Sequence, residues 1–88
     1  MAAYRVEIQR SAESDLSRLG SVLVGRLRTA LESLASDPRP PGSRKLAGSE
    51  AYRLRVGDYR IVYEVDDRRQ IVTVARVRHR RDVYRRLR

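Results

Sequence analysis

Hydrophobic and polar residues alternate most regularly between Tyr52 and Val65, in the stretch YRLRVGDYRIVYEV. Tyr52, Leu54 and Val56 alternate with Arg53 and Arg55, and Tyr59, Ile61, Tyr63 and Val65 alternate with Arg60, Val62 and Glu64. Successive side chains of a strand point to opposite faces, so this period of two predicts two half-buried strands. Gly57-Asp58 lies between them, and glycine first suits a two-residue hairpin turn. With that turn Val56 faces Tyr59, Arg55 faces Arg60, Leu54 faces Ile61 and Arg53 faces Val62. One face of the hairpin then carries Leu54, Val56, Tyr59, Ile61 and Tyr63, and the other Arg53, Arg55 and Arg60. Like charges directly opposite one another destabilise a sheet. An Arg55–Arg60 pair breaks a local rule, as functional sites tend to do. That face calls for an anion.

Elsewhere the pattern changes period. Tyr4, Val6 and Ile8 alternate with Arg5 and Glu7, which predicts a short strand over residues 3–8. Ser11 suits a helix N-cap, with Glu13 and Asp15 placed to offset the helix dipole. Ala12, Leu16 and Leu19 share one helix face, and Gly20 ends that element. Ser21 can cap a second helix in which Leu23, Leu27, Ala30, Leu31 and Leu34 form an apolar stripe. So short a break between two helices predicts an αα-hairpin. The prolines at 38, 40 and 41 stop the second helix, and residues 37–51 read as a loop without periodicity, carrying Arg44 and Lys45. After the hairpin, residues 66–70 read as a connection and 71–78 as a third strand of a meander. A five-residue loop sets Val65 opposite Ile71 and Arg60 opposite Arg76. Val72, Val74, Arg76 and Arg78 then join the basic face. Residues 81–87 predict a short C-terminal helix with Val83, Tyr84 and Leu87 on one side.

The leucine stripe needs an apolar partner, so the helical hairpin covers the Leu54–Ile61 face and leaves the basic face open. Arg60 is thus expected to be exposed. The predicted architecture is α+β: a small antiparallel sheet, built from the N-terminal strand and the three-stranded meander, with the αα-hairpin on one face. Residues 1–88 form one domain, with room for a single modest core.

Charge sharpens this picture. The chain carries a formal net charge of +9, and it is lopsided. Residues 1–43 hold six arginines against five acids; residues 44–88 hold fourteen Lys/Arg against six. A basic face on the sheet half most often meets nucleic acid. Nineteen of the twenty cations are arginine, suited to bidentate phosphate contacts. There is no cysteine, which excludes disulfides and fits a reducing cytoplasm. No apolar run approaches membrane-spanning length, so no membrane partner is expected. One histidine and no clustered carboxylates beyond Asp66-Asp67 leave no metal constellation, and no cofactor is expected.

The segments YRLRVGDYRIVYEV and IVTVARVRHRRDVYRRL, following a strand, a helical hairpin and a proline-broken loop, resemble the RelE/ParE superfamily of bacterial toxins. The resemblance covers nearly the whole chain, and its more specific parts are GDYR with the following I-V-Y, and HRRDVY. It implies a cytoplasmic type II toxin whose partner is a cognate acidic antitoxin. RelE-like members cut mRNA, typically on the ribosome; ParE-like members inhibit DNA gyrase, and that is the alternative function. For the RelE-like branch the resemblance implies a metal-independent endoribonuclease with Arg60, His79 and Tyr84 as catalytic residues. It also implies that Arg53, Arg55, Arg44, Lys45, Arg78, Arg80 and Arg81 bind RNA phosphates. This chain departs from the pattern in three places. Arginines stand at 53 and 55 where some relatives have lysine, and Arg44 or Lys45 where some have a glutamate base. Arg78 replaces a glycine common before the histidine. An arginine cannot be a general base, so His79 is the expected proton-transfer group.

Overall fold

The αα-hairpin covers one face of the sheet, as the leucine stripe requires. A computed structural model describes residues 3–81. In chain order they form β1 (Arg5–Ile8), α1 (Arg10–Ser17), α2 (Ser21–Ser33), β2 (Ser43–Lys45), β3 (Ala51–Val56), β4 (Tyr59–Asp66) and β5 (Ile71–His79). Leu27, Leu31 and Leu34, with Ala12 and Leu16 of α1, are buried against Leu54, Ile61, Tyr63, Val72, Val74 and Val77. Leu19, Leu23, Val56 and Tyr59 pack at the margin of that cluster. The α+β architecture and the helical hairpin are as expected. The helix starts are not: Gln9, not Ser11, stands at the N-cap of α1, and Gly20 at that of α2. Ser11 instead donates its hydroxyl to the carbonyl of Ala75, 2.6 Å away. Tyr84 and most of the expected C-terminal helix lie outside the described residues; Arg80 and Arg81 enter a helical turn.

The sheet is larger than the meander and is mixed, in the order β1-β5-β4-β3-β2. β1 runs parallel to β5, with Arg5 beside Ile71 and Ile8 beside Val74. Within the expected loop, Ser43–Lys45 forms β2 on the edge of β3. Three residues are too few for periodicity to show. What delivers them to the edge is a set of contacts distant in sequence. The buried Tyr63 donates its hydroxyl to the carbonyl of Pro38 (2.8 Å). Arg39 grips Asp67 with two nitrogens (3.1 and 2.8 Å) and donates Nε to the Tyr52 hydroxyl (3.0 Å).

The β3–β4 register is the one the two-residue turn dictates, from Val56 opposite Tyr59 to Arg53 opposite Val62. The β4–β5 register corrects the expectation. β4 runs on through Asp66, which faces Ile71, so Val65 faces Val72 and the connection is one residue shorter. Gln70 makes the tighter turn possible by taking φ 57°, a left-handed conformation that a non-glycine residue seldom adopts. Val72 and Val74 therefore enter the core instead of the basic face, and both are fully buried. A bulge follows: Tyr63 faces Val74 but Val62 faces Arg76, leaving Ala75 without a residue opposite. The extra residue reverses the alternation. Arg76 and Arg78 thereby return to the basic face, with Arg78, not Arg76, opposite Arg60.

Candidate functional site

Residues directly opposite in a ladder share a face, so the registers assemble two rungs of arginines on the side away from the helices. The first is Arg44 of β2, Arg53 of β3, Val62 of β4 and Arg76 of β5. The second is Arg55, Arg60 and Arg78. Strands lie about 4.8 Å apart and alternate residues about 6.8 Å along a strand, so six cations share a patch the size of a few nucleotides. Arg44 and Arg55 are exposed and Arg53 half-buried. Arg60 is not exposed as expected: only 6 % of it meets solvent. Arg60, at the centre of the face, is thus largely shielded from solvent, where a charge acts through a weaker dielectric than in open water.

Asp15 of α1 holds the outer end of this face. Beyond Val74, β1 no longer pairs with β5, and α1 takes over that edge. The Asp15 carboxylate accepts from Nε and Nη2 of Arg76 (3.0 and 3.1 Å) and from the backbone N–H of Val77 (2.8 Å). Arg78 Nη1 comes within 3.7 Å of the same carboxylate. Arg76 and Arg78 are drawn over the sheet edge, while Arg44 and Arg55 make no side-chain bond among the described residues. The sequence signal for Asp15 was misleading: an acid in the first turn of a helix reads as dipole compensation.

His79 is the last residue of β5 and faces Tyr59. The two rings meet edge to face, with centroids 5.3 Å apart. By alternation His79 lies on the opposite side of the ladder from Arg60, although its neighbour Arg78 stands directly across from Arg60. The structure thus gathers Arg53, Arg55, Arg60 and Arg78 and sets His79 at the rim of the sheet. Its Nδ1 accepts from the backbone N–H of Arg81 (3.3 Å), which leaves Nε2 for other work. Lys45 parts from Arg44: it faces Tyr52, so it lies on the helix side, and it reaches Glu50 (3.7 Å). Arg80 continues the ladder one step, donating its N–H to the carbonyl of Asp58 (2.8 Å).

The Arg39–Asp67 pair was not legible in the sequence, because its partners are 28 residues apart. Bonds from Arg39 and then from the Tyr4 hydroxyl hold the Asp67 carboxyl below its ordinary range. The same bond to Asp67 raises the Tyr4 hydroxyl, and burial raises that of Tyr63. This cluster lies at the far end of the sheet from His79 and fixes the loop that presents Arg44.

Residues 6–84 match the family model described as the ParE toxin of the type II parDE toxin–antitoxin system. The chain belongs to the RelE/ParE family of type II toxins. It is 36 % identical over 87 residues to the toxin RelG of Mycobacterium tuberculosis, spanning 94 % of this chain and 98 % of RelG. In three dimensions it resembles a chain of the RelBE2 toxin–antitoxin complex of the same organism, with a TM-score of 0.82 and 26 % identity over 90 % of this chain and 93 % of that one. It also resembles a chain of the archaeal RelE–RelB complex of Pyrococcus horikoshii, with a TM-score of 0.80 and 28 % identity over 91 % and 97 % of the two chains. No helix among the described residues of this toxin is long and apolar enough to cross a membrane.

Proposed function

We propose that this toxin is a RelE-like, metal-independent endoribonuclease that cuts mRNA in the cytoplasm, at the ribosome, and that an acidic antitoxin restrains it. The observation that carries the reading is the double rung of arginines on the face away from α1 and α2, centred on the buried Arg60. Cleavage of RNA without a metal begins with attack of a ribose 2′-oxygen on the adjacent phosphorus. The 2′-OH gives up a proton, the bond from phosphorus to the 5′-oxygen breaks, and that oxygen takes a proton as it leaves. The five-coordinate intermediate carries added negative charge, which preorganised donors stabilise most strongly. Arg60, with Arg55 and Arg53 from the neighbouring strand, supplies those donors. Guanidinium groups hold their charge throughout and cannot take the 2′-OH proton. An imidazole nitrogen can accept or donate a proton, and His79 Nε2 at the rim serves proton transfer to or from a strand that crosses there from the arginine face. Tyr84, outside the described residues, completes the set as a ring for stacking on a base.

The relatives support this branch: RelG, and RelE chains solved with RelB antitoxins. A basic face of this kind favours an acidic partner segment, whose binding weakens as salt rises. The family model's ParE description favours a second reading, inhibition of DNA gyrase by the same face. Inducing the toxin separates the two. The RNase reading expects mRNA to be cut and translation to stop within minutes while DNA stays intact. DNA damage with intact mRNA and continuing translation rejects it in favour of gyrase.

A further inference from the structure

Between the end of α1 and the last residues of β5 lies a cavity of about 300 Å³ on the helix side of the rim. Leu19 and Val77 give it apolar walls, Tyr59 and His79 an aromatic pair, and Arg18 and Arg78 cations. Asp15 also lines it, but its oxygens are occupied by Arg76 and the Val77 N–H, so it offers little repulsion to an anion. Arg18 is exposed and makes no side-chain bond among the described residues. Arg78 Nε is buried without a hydrogen-bond partner among them. Arg26 of α2 extends the positive rim, with Nη2 beside the Gly57 turn. A volume of roughly 300 Å³ is at the small end of ligand pockets and accommodates one nucleobase. Apolar walls, partly exposed aromatic rings and flanking arginines are what single-stranded nucleic acid requires, because a base stacks while its phosphate pairs with a cation.

We propose that this cavity is a nucleotide subsite: it takes the base adjoining the phosphate held by Arg55 and Arg60, stacked on Tyr59, with the next phosphate on Arg18. The inference rests on RNA being the substrate. It routes the strand over the rim at His79, with the reacting phosphate on the arginine face and its neighbour on the helix side. Arg18 and the arginine face thus contribute to one binding event from opposite sides of the sheet.

The test measures fluorescence anisotropy of a short fluorescein-labelled 2′-O-methyl oligoribonucleotide, which lacks the attacking hydroxyl, on full-length toxin made by cell-free synthesis. Arg18→Glu is a surface change and should weaken binding about tenfold. Arg18→Ala should lower the slope of log affinity against log salt by about 0.7, the loss of one phosphate contact on a single strand. Tyr59→Leu keeps apolar bulk and should cost about fivefold or more for the lost stack. Arg10→Glu is the control: Arg10 begins α1, about 12 Å from Arg18 along the helix, and should change affinity less than twofold. If Arg55→Ala weakens binding but Arg18→Glu does no more than Arg10→Glu, the subsite is overturned and the arginine face stands. If the wild-type toxin binds no oligoribonucleotide, the RNA reading itself is overturned, and the subsite with it.

Discussion

Asp15→Ala removes an acid that serves two strand arginines and a backbone N–H at once, so its cost can be worked out contact by contact. The Asp15 side chain is 10 % exposed, whereas Arg76 keeps 34 % of its side-chain surface. Arg76 therefore returns largely to water when its partner goes, and its share is that of a surface pair, under about 1 kcal/mol. The Val77 N–H loses a charge-assisted bond worth about 1.5–3 kcal/mol. Arg78, 20 % exposed and 3.7 Å from the carboxylate, adds a smaller electrostatic loss. The sum is about 2–4 kcal/mol, a large part of the roughly 4–13 kcal/mol that holds a domain of this length. In urea the midpoint should fall with the slope unchanged, and Tm should drop by about 10–30 °C. Asp15→Asn keeps one acceptor for the Val77 N–H and should lose about half as much. In the Asp15→Ala background, adding Arg76→Ala should cost almost nothing further, since its partner is already gone. A loss below about 1 kcal/mol for Asp15→Ala, or an asparagine variant as damaged as the alanine, refutes the assignment of Asp15 as the anchor of that edge.

The acid limb of stability should depend on Asp67. Its folded-state pKa is depressed, so its contribution is full above the ordinary value of 3.8 and fades as pH falls through the folded value; Asp67→Asn should flatten the unfolding curve below about pH 4, and an unchanged acid limb contradicts this. Arg60→Lys keeps the charge and the stem of a residue 6 % exposed, so it should fold, yet cleavage should slow by about 10²–10³ for loss of the bidentate clamp. A lysine variant that cuts at the wild-type rate rejects the clamp. His79→Ala should slow single-turnover cleavage by about 10²–10⁴ while leaving RNA binding nearly unchanged. A wild-type rate in that variant would leave catalysis to the arginines alone.

Legibility in this chain follows how local each determinant is. The Gly57-Asp58 turn fixed β3 against β4 from fourteen consecutive residues, and the pairing of Arg55 with Arg60 came with it. The leucine stripe fixed α2 and its buried face in the same way. Where partners are distant, the pattern is silent: nothing near Ser43–Lys45 announces β2, because Pro38, Arg39 and their partners Tyr63, Tyr52 and Asp67 put it there. β5 lies between these cases. Its connection is one residue shorter than the pattern suggested, and Ala75 adds one residue of offset in the same direction. Two single-residue shifts restore the original parity, so Arg76 and Arg78 reach the expected face, while Val72 and Val74, lying between the shifts, do not. The burial of the valines and the position of the arginines cannot both be met by an unbroken alternation from 72 to 78. The bulge is therefore what lets one strand supply core and charged face in succession. It also sets Arg78 across from Arg60, and at the same edge Ser11 binds the Ala75 carbonyl and Asp15 the Val77 N–H. Core packing, the edge held by α1 and the arrangement of the arginine face thus meet at Ala75, a residue with no charge and no chemistry of its own.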